Sequence, residues 1–376
     1  MKLVFDTNII HEDFHLYGPR ITKLCSAAEK LGYNLMIPDV VVDEMVNHYR
    51  QELLKNFSGY ARIEKLVART RGSEDIFDKD KFISDKVHEY EIFLKQRLGN
   101  LGIKTIAYPK IDIKELVSKE LKVKKPFKEI KESVIGYRDA LIWECVKSIC
   151  QPQQTLIEDP QIEFLTENFK DFAGAEKTLH PDLVEELINA GCASNCVTLI
   201  TDVNKYFETK IDTELEELEQ IKEALINTGK FNRFDVMEEI KGALTLDYVK
   251  DLLNNSDFDS ERSYYLPGYV EDPSISYVDS PFVDNISVRR LTDQNVLIEI
   301  QASVLVDMDF LVYKPDYYTY AEDKKLLILE EDWNDYYMLC EGTAKLSANL
   351  TFRTTPKLGK VLSANVQIKE TVIEGL

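Results

Sequence analysis

The amino-terminal half of the chain alternates short, mostly apolar runs with longer stretches of helical period. The first run, Lys2-Leu3-Val4-Phe5, stops abruptly in Asp6-Thr7-Asn8. A run that is apolar at successive positions, rather than at every second one, marks a strand covered on both faces, as in a parallel sheet. Helical spacing follows, with Ile21, Leu24, Cys25, Ala28 and Leu31 on one face and Gly32 closing it. Asn34 to Pro38 reads as a second strand. Asp39 then stands as the N-cap of a helix from Val40 to about Phe57, with Asp43 and Glu44 in its first turns.

From about Gly59 to Lys131 the spacing predicts mostly helix, interrupted at Lys125-Pro126. Gly136 to Val146 has the broad apolar surface of a buried helix, and Asp139 sits at its beginning. Two more apolar runs, Ile162–Leu165 and Val197–Ile200, end in Thr166-Glu167-Asn168 and in Thr201-Asp202. Strands alternating with helices at this spacing predict a parallel α/β sheet.

Beyond Lys210 the pattern changes twice. Residues 213–262 form an acidic helical stretch that passes into loops, expected as a linker, and residues 263–376 form a separate module. From Ile286 that module alternates with period two, as in Val296–Val304 and Leu346–Phe352, which predicts an antiparallel accessory β domain. The α/β part is expected to span residues 1–212.

Composition narrows the partners. The chain has 376 residues, enough for more than one core, and a net charge of −20. That charge argues against coating a polyanion by bulk electrostatics. It leaves room for an acidic centre loaded with cations and served by a local basic patch. The basic side chains gather in the helical insertion: Arg62, Lys65, Arg69 and Arg71, then Lys119, Lys122, Lys124, Lys125, Lys128 and Lys131. Lys122, Lys124, Lys125 and Lys128 are the densest group and the candidate phosphate contacts. With neither a membrane-length apolar run nor the layout of an export signal at the amino terminus, a cytoplasmic protein with reduced thiols is expected. Cys192 and Cys196 lie four apart, but without a second pair or nearby histidines they are not expected to hold a metal.

The candidate chemistry lies in four acids at strand ends and helix starts: Asp6, Glu44, Asp139 and Asp171. Convergent carboxylates without a histidine set suit hard divalent cations, and such cations neutralise phosphate and activate water in phosphodiester hydrolysis. Phe5-Asp6-Thr7-Asn8, the run Pro38 to Glu44, Arg138-Asp139-Ala140 and Phe164-Leu165-Thr166-Glu167-Asn168 occur in that order over roughly residues 1–207. In this ordered set the chain resembles the PIN-domain nucleases, particularly a bacterial subgroup with a long helical insertion.

The resemblance implies a Mg²⁺- or Mn²⁺-dependent endoribonuclease, of stress or phage-defence type, with nucleic acid as its partner and RNA ahead of DNA. It assigns the metal to Asp6, Glu44 and Asp139, with Thr7, Asn8 and Thr166 in support. Where the family usually has a fourth acid this chain has Asn168, so Asp171 is expected to supply the charge, with Asp202 as the rival position. A structure-selective DNA nuclease, and a scaffold that has lost catalysis, are the alternatives. The β domain is expected to regulate the enzyme or to join copies of it.

Overall fold

The computed structural model describes residues 1–71, 78–150, 162–245, 270–321 and 326–373, without side chains at 58, 60–71, 320–321, 368 and 370–373. The chain divides into two compact units, Met1–Glu214 and Leu215–Leu376.

The first unit is built on β1 (Lys2–Phe5), which lies between β2 (Asn34–Pro38) and β6 (Ile162–Leu165). The five-stranded sheet runs β3-β2-β1-β6-β7, with β3 at Lys104–Ile106 and β7 at Val197–Ile200, and every neighbouring pair is parallel. Helices α1 (Pro19–Leu31), α2 (Asp39–Arg71), α3 (Lys79–Asn100), α5 (Tyr137–Ser148) and α7 (Pro181–Asn189) supply the connections. Leu3, Val4 and Phe5 are at most 1% exposed, which is why this strand carries no polar alternation. The expected parallel α/β architecture is present.

The insertion is less uniformly helical than its sequence suggests. Helix α2 runs on to Arg71 rather than stopping near Phe57, and Arg62, Lys65, Arg69 and Arg71 fall in the part whose side chains are not described. After α3 the chain returns to the sheet as β3, pairing Met36 with Lys104 through Pro38 with Ile106. Only Ile106 of that strand is buried, so its place comes from backbone pairing with β2 and leaves no apolar run to detect. Helix α4 (Ile113–Leu121) follows.

Next comes an antiparallel hairpin of β4 (Lys128–Ile130) and β5 (Ser133–Ile135), not a helix. Its two turn residues, Lys131 and Glu132, have φ of 50° and 65°. Two-residue hairpin loops of this kind favour Asn or Gly, so the Lys-Glu pair gives no sequence signal.

The hairpin ends at Gly136, whose φ is 126°. A Cβ there would meet Pro126 O at 2.8 Å and Phe127 Cα at 3.0 Å. Glycine thus lets the chain pass against its own backbone just before α5, fixing where that helix and Asp139 begin.

In the second unit, α9 (Asp212–Thr228, mostly within it) and α10 (Val236–Ala243) precede a six-stranded antiparallel sheet. The 18-residue strands β12 (Val296–Tyr313) and β14 (Tyr337–Thr354) pair along their whole length, Val296 with Thr354 through Tyr313 with Tyr337. β10 (Glu271–Val278) and β11 (Phe282–Arg290) line the other edge of β12, while β13 (Leu327–Glu330) and β15 (Val361–Ile373) line that of β14. Alternate residues such as Ile298, Ile300, Val304, Met308 and Phe310 are buried, the period-two signature expected here. The loops expected at the end of the 213–262 stretch lie outside the described residues.

Candidate metal centre

In open parallel sheets, ligands bind beyond the carboxyl ends of the strands where the order reverses. Here the chain moves from β1 to β2 and β3 on one side, and places β6 and β7 on the other. Asp6 directly follows β1 and Thr166 directly follows β6, so both stand at that reversal.

Asp6 is 3% exposed, yet both of its oxygens are occupied. The Thr7 amide donates to Oδ1 at 2.7 Å. Oδ2 accepts from Asn8 Nδ2 at 2.8 Å and from the Thr166 hydroxyl at 2.5 Å. Asn8 also reaches across the two strand ends: its Oδ1 accepts from the Glu167 amide at 2.9 Å, and its Nδ2 donates to Thr166 Oγ1 at 3.2 Å. Thr166 Oγ1 accepts in addition from the Asn168 amide at 2.9 Å. Burial drives the Asp6 carboxyl up to about 6, against the lowering effect of the Thr166 and Thr7 hydrogen bonds; the Glu44 charge adds to the rise.

Glu44, in the second turn of α2, accepts a short hydrogen bond from the Thr7 hydroxyl and pairs with Arg138 Nη1 at 2.9 Å. Arg138, although next to Asp139 in sequence, is engaged by Glu44. Asp139 itself accepts from Asn168 Nδ2 at 3.2 Å. Its carboxyl is pushed up to about 7, mainly by burial, then by the Asp171 and Asp6 charges. Lys128 opposes that rise, and Glu44 adds a smaller push. Asp139 therefore senses the charge of the other three acids, although they come from segments far apart in the chain.

Asp171 lies in the short helix α6 (Phe169–Phe172) and is fully buried. Lys128 Nζ is 2.6 Å from each of its oxygens but is aligned as a donor only to Oδ2, so the buried Oδ1 accepts no hydrogen bond. Asp202, the rival position, has a different employment. It is exposed and caps α8 (Val203–Tyr206), its Oδ1 accepting from the Lys205 amide at 2.9 Å.

The donor set is all oxygen, with an acceptor left over at Asp171, and this fits a hard divalent cation better than a soft one. Among the described residues, no three of these carboxylates have oxygens all within 4.8 Å of one another. Lys128 and Arg138 instead balance two of the charges, a role their sequence positions did not disclose.

The candidate phosphate contacts are also engaged. Lys124 pairs with Glu185 at 3.2 Å, Lys125 Nζ donates to the Lys170 carbonyl at 2.6 Å, and Lys128 holds Asp171. Lys122 is exposed where α4 ends. Lys119, part of the same basic run, is buried among Glu115, Glu144 and Glu186.

A parallel α/β unit with acids gathered at the β1/β6 switch point is an arrangement that suits metal-dependent hydrolysis of nucleic acid. The comparison with known families agrees: residues 3–172 match the PIN domain. No curated protein and no solved structure matches the chain. No helix among the described residues is long and apolar enough to cross a membrane.

Proposed function

We propose that the first unit is a divalent-metal-dependent endoribonuclease, using Mg²⁺ or Mn²⁺ held by Asp6, Glu44, Asp139 and Asp171. The observation that carries this reading is Asp139. Three neighbouring carboxylates and burial disfavour its charge, so the site holds more negative potential than its own lysine and arginine neutralise. A bound divalent cation would supply the charge that steadies the scissile phosphate and activates water. The chain's own residues do the positioning. Thr166, Thr7 and Asn8 fix both oxygens of Asp6, Thr7 and Arg138 hold Glu44, and Asn168 orients Asp139. Placing RNA ahead of DNA as substrate rests on the resemblance to PIN-domain nucleases.

A second reading has its own observation. Asn168 occupies the place of a usual acid and Lys128 already pairs with Asp171, an arrangement that suits a scaffold binding nucleic acid without cutting it. One assay separates the readings: full-length protein with Mg²⁺ or Mn²⁺ on a mixture of RNA and single-stranded DNA. Metal-dependent RNA cleavage, lost in Asp6→Asn, is the expected result. Cleavage of DNA alone selects the DNA enzyme, and binding without cleavage under either metal selects the scaffold.

A further inference from the structure

Three cysteines that the sequence keeps apart meet at the opposite end of the sheet from the acids. Cys150 follows α5, Cys192 follows α7, and Cys196 directly precedes β7. Their three sulfurs all lie within 4.8 Å of one another, and those of Cys150 and Cys196 are 3.6 Å apart. Among the described residues this is the one group of His, Cys, Asp or Glu side chains so arranged. All six cysteines are free thiols.

We infer that Cys150, Cys192 and Cys196 form a thiolate site for Zn²⁺, distinct from the acidic centre. Zinc–sulfur bonds of about 2.3 Å place tetrahedral ligands about 3.8 Å apart, so the sulfurs need little movement to close on an ion. A disulfide would use two of the three thiols and leave the third unexplained, whereas a metal uses all of them.

The backbone holds each ligand in place beforehand. The Cys192 amide donates to Leu187 O at 2.9 Å, the Cys196 amide to Ala193 O at 3.1 Å and the Cys150 amide to Lys147 O at 3.1 Å. Cys192 and Cys196 are 6% and 4% exposed, while Cys150 is half-buried and leaves an approach from solvent. Binding converts three thiols and Zn²⁺ into a tris-thiolate complex of net charge −1 and releases three protons. A cation stands close by in space: Lys2 Nζ donates to the carbonyl of Ile149, the neighbour of Cys150, at 2.7 Å. The three protein ligands leave a fourth position for water or a small external ligand.

The site is remote from the acids. Cys196 O accepts from the Ile162 amide at the start of β6, whereas Thr166 follows that strand's other end. Helix α5 is 12 residues long, about 18 Å, with Asp139 in its first turn and Cys150 just past its last. An ion here would pin the far end of the helix that carries Asp139.

The test is anaerobic titration of reduced full-length protein with Zn²⁺ against a chromophoric chelator, then with Cd²⁺ while the sulfur-to-metal charge-transfer band is followed. One tightly held Zn²⁺ per chain, a Cd²⁺ band and proton release are expected. Cys196→Ser should weaken binding by roughly 100-fold or more and remove the band, while Cys340→Ser and Asp139→Asn leave both unchanged. The Cd²⁺ band of the unmutated protein needs no variant, so misfolding of a serine mutant does not blunt the test. Absence of that band would overturn the inference. So would equal binding by the Cys196→Ser protein, or a Cys150–Cys196 disulfide that persists in reductant and blocks zinc.

Discussion

Lys128 places its ammonium 2.6 Å from both oxygens of Asp171, a carboxylate with no solvent exposure. A lysine that looks in sequence like a phosphate contact is therefore part of the acidic centre's own charge balance. Removing one partner of a buried pair leaves the other uncompensated, which costs up to about 3–5 kcal/mol; the Lys128 side chain is 30% exposed, so roughly 1–3 kcal/mol is the reasonable scale here. Lys128→Met should lower the thermal midpoint without metal and restore much of it with Mn²⁺, as the cation takes over the neutralisation. A midpoint unmoved in chelator would show that the pair contributes nothing to folding.

The raised Asp139 carboxyl makes a prediction about pH. Its ordinary value is 3.8 and in the folded chain it is about 7, so the folded state binds the proton more tightly. The resulting stability is present below about pH 4 and is lost as pH rises towards 7. Asp139→Asn has no charge to bury. With metal chelated, it should match the unmutated protein near pH 4 and exceed it by roughly 1–2 kcal/mol above pH 7. Denaturant melts at the two pH values measure this. An equal or opposite difference at high pH would mean that Asp139 is stabilised as an anion by its neighbours.

Thr166 tests how the site is held. Its hydroxyl donates to Asp6 Oδ2 and accepts from the Asn168 amide and from Asn8 Nδ2. Thr166→Val keeps the shape and removes all three bonds, at a cost of roughly 1–3 kcal/mol for buried groups left unpaired. Cleavage should fall by at least ten-fold with little change in fold by circular dichroism. Unaltered cleavage would mean that Asp6 holds its orientation without Thr166.

Gly136 should tolerate no side chain. Its φ of 126° and the 2.8 Å approach of a Cβ to Pro126 O both oppose one. Gly136→Ala should destabilise the protein by roughly 1–3 kcal/mol. It should also reduce cleavage at temperatures where the protein remains folded, because Tyr137 opens the helix that carries Asp139. Gly99 is a control within α3, where a Cβ meets nothing within 4 Å.

The lysines offer a last comparison. Lys122, Lys124 and Lys125 changed together to Glu should weaken RNA binding at every sequence tested and flatten its dependence on salt. The same change at Lys345, Lys357 and Lys360 should do much less. Lys124 and Lys125 must leave Glu185 and the Lys170 carbonyl to reach a phosphate. An unaltered salt slope in the first triple variant would assign these lysines to holding the insertion together.

What the sequence determined by itself was local and repetitive. Buried parallel strands are apolar at most successive positions, so Leu3–Phe5 announced itself, as did Ile162–Leu165 and Val197–Ile200 with one polar residue each, and the period-two strands of the second unit. Carboxylates and hydroxyls at the strand ends marked the edge on which chemistry would gather. Strand β3 and the Lys128–Ile135 hairpin left no such trace. One takes its place by backbone pairing with a neighbour, and the other turns through Lys131 and Glu132, residues with no particular preference for positive φ. Only the tertiary structure decided which charges meet. Arg138 turns to Glu44 rather than to the adjacent Asp139, Lys128 crosses to Asp171, and Cys150 joins Cys192 and Cys196. Such pairings depend on distances between segments far apart in the chain, and sequence spacing constrains those only through the completed fold.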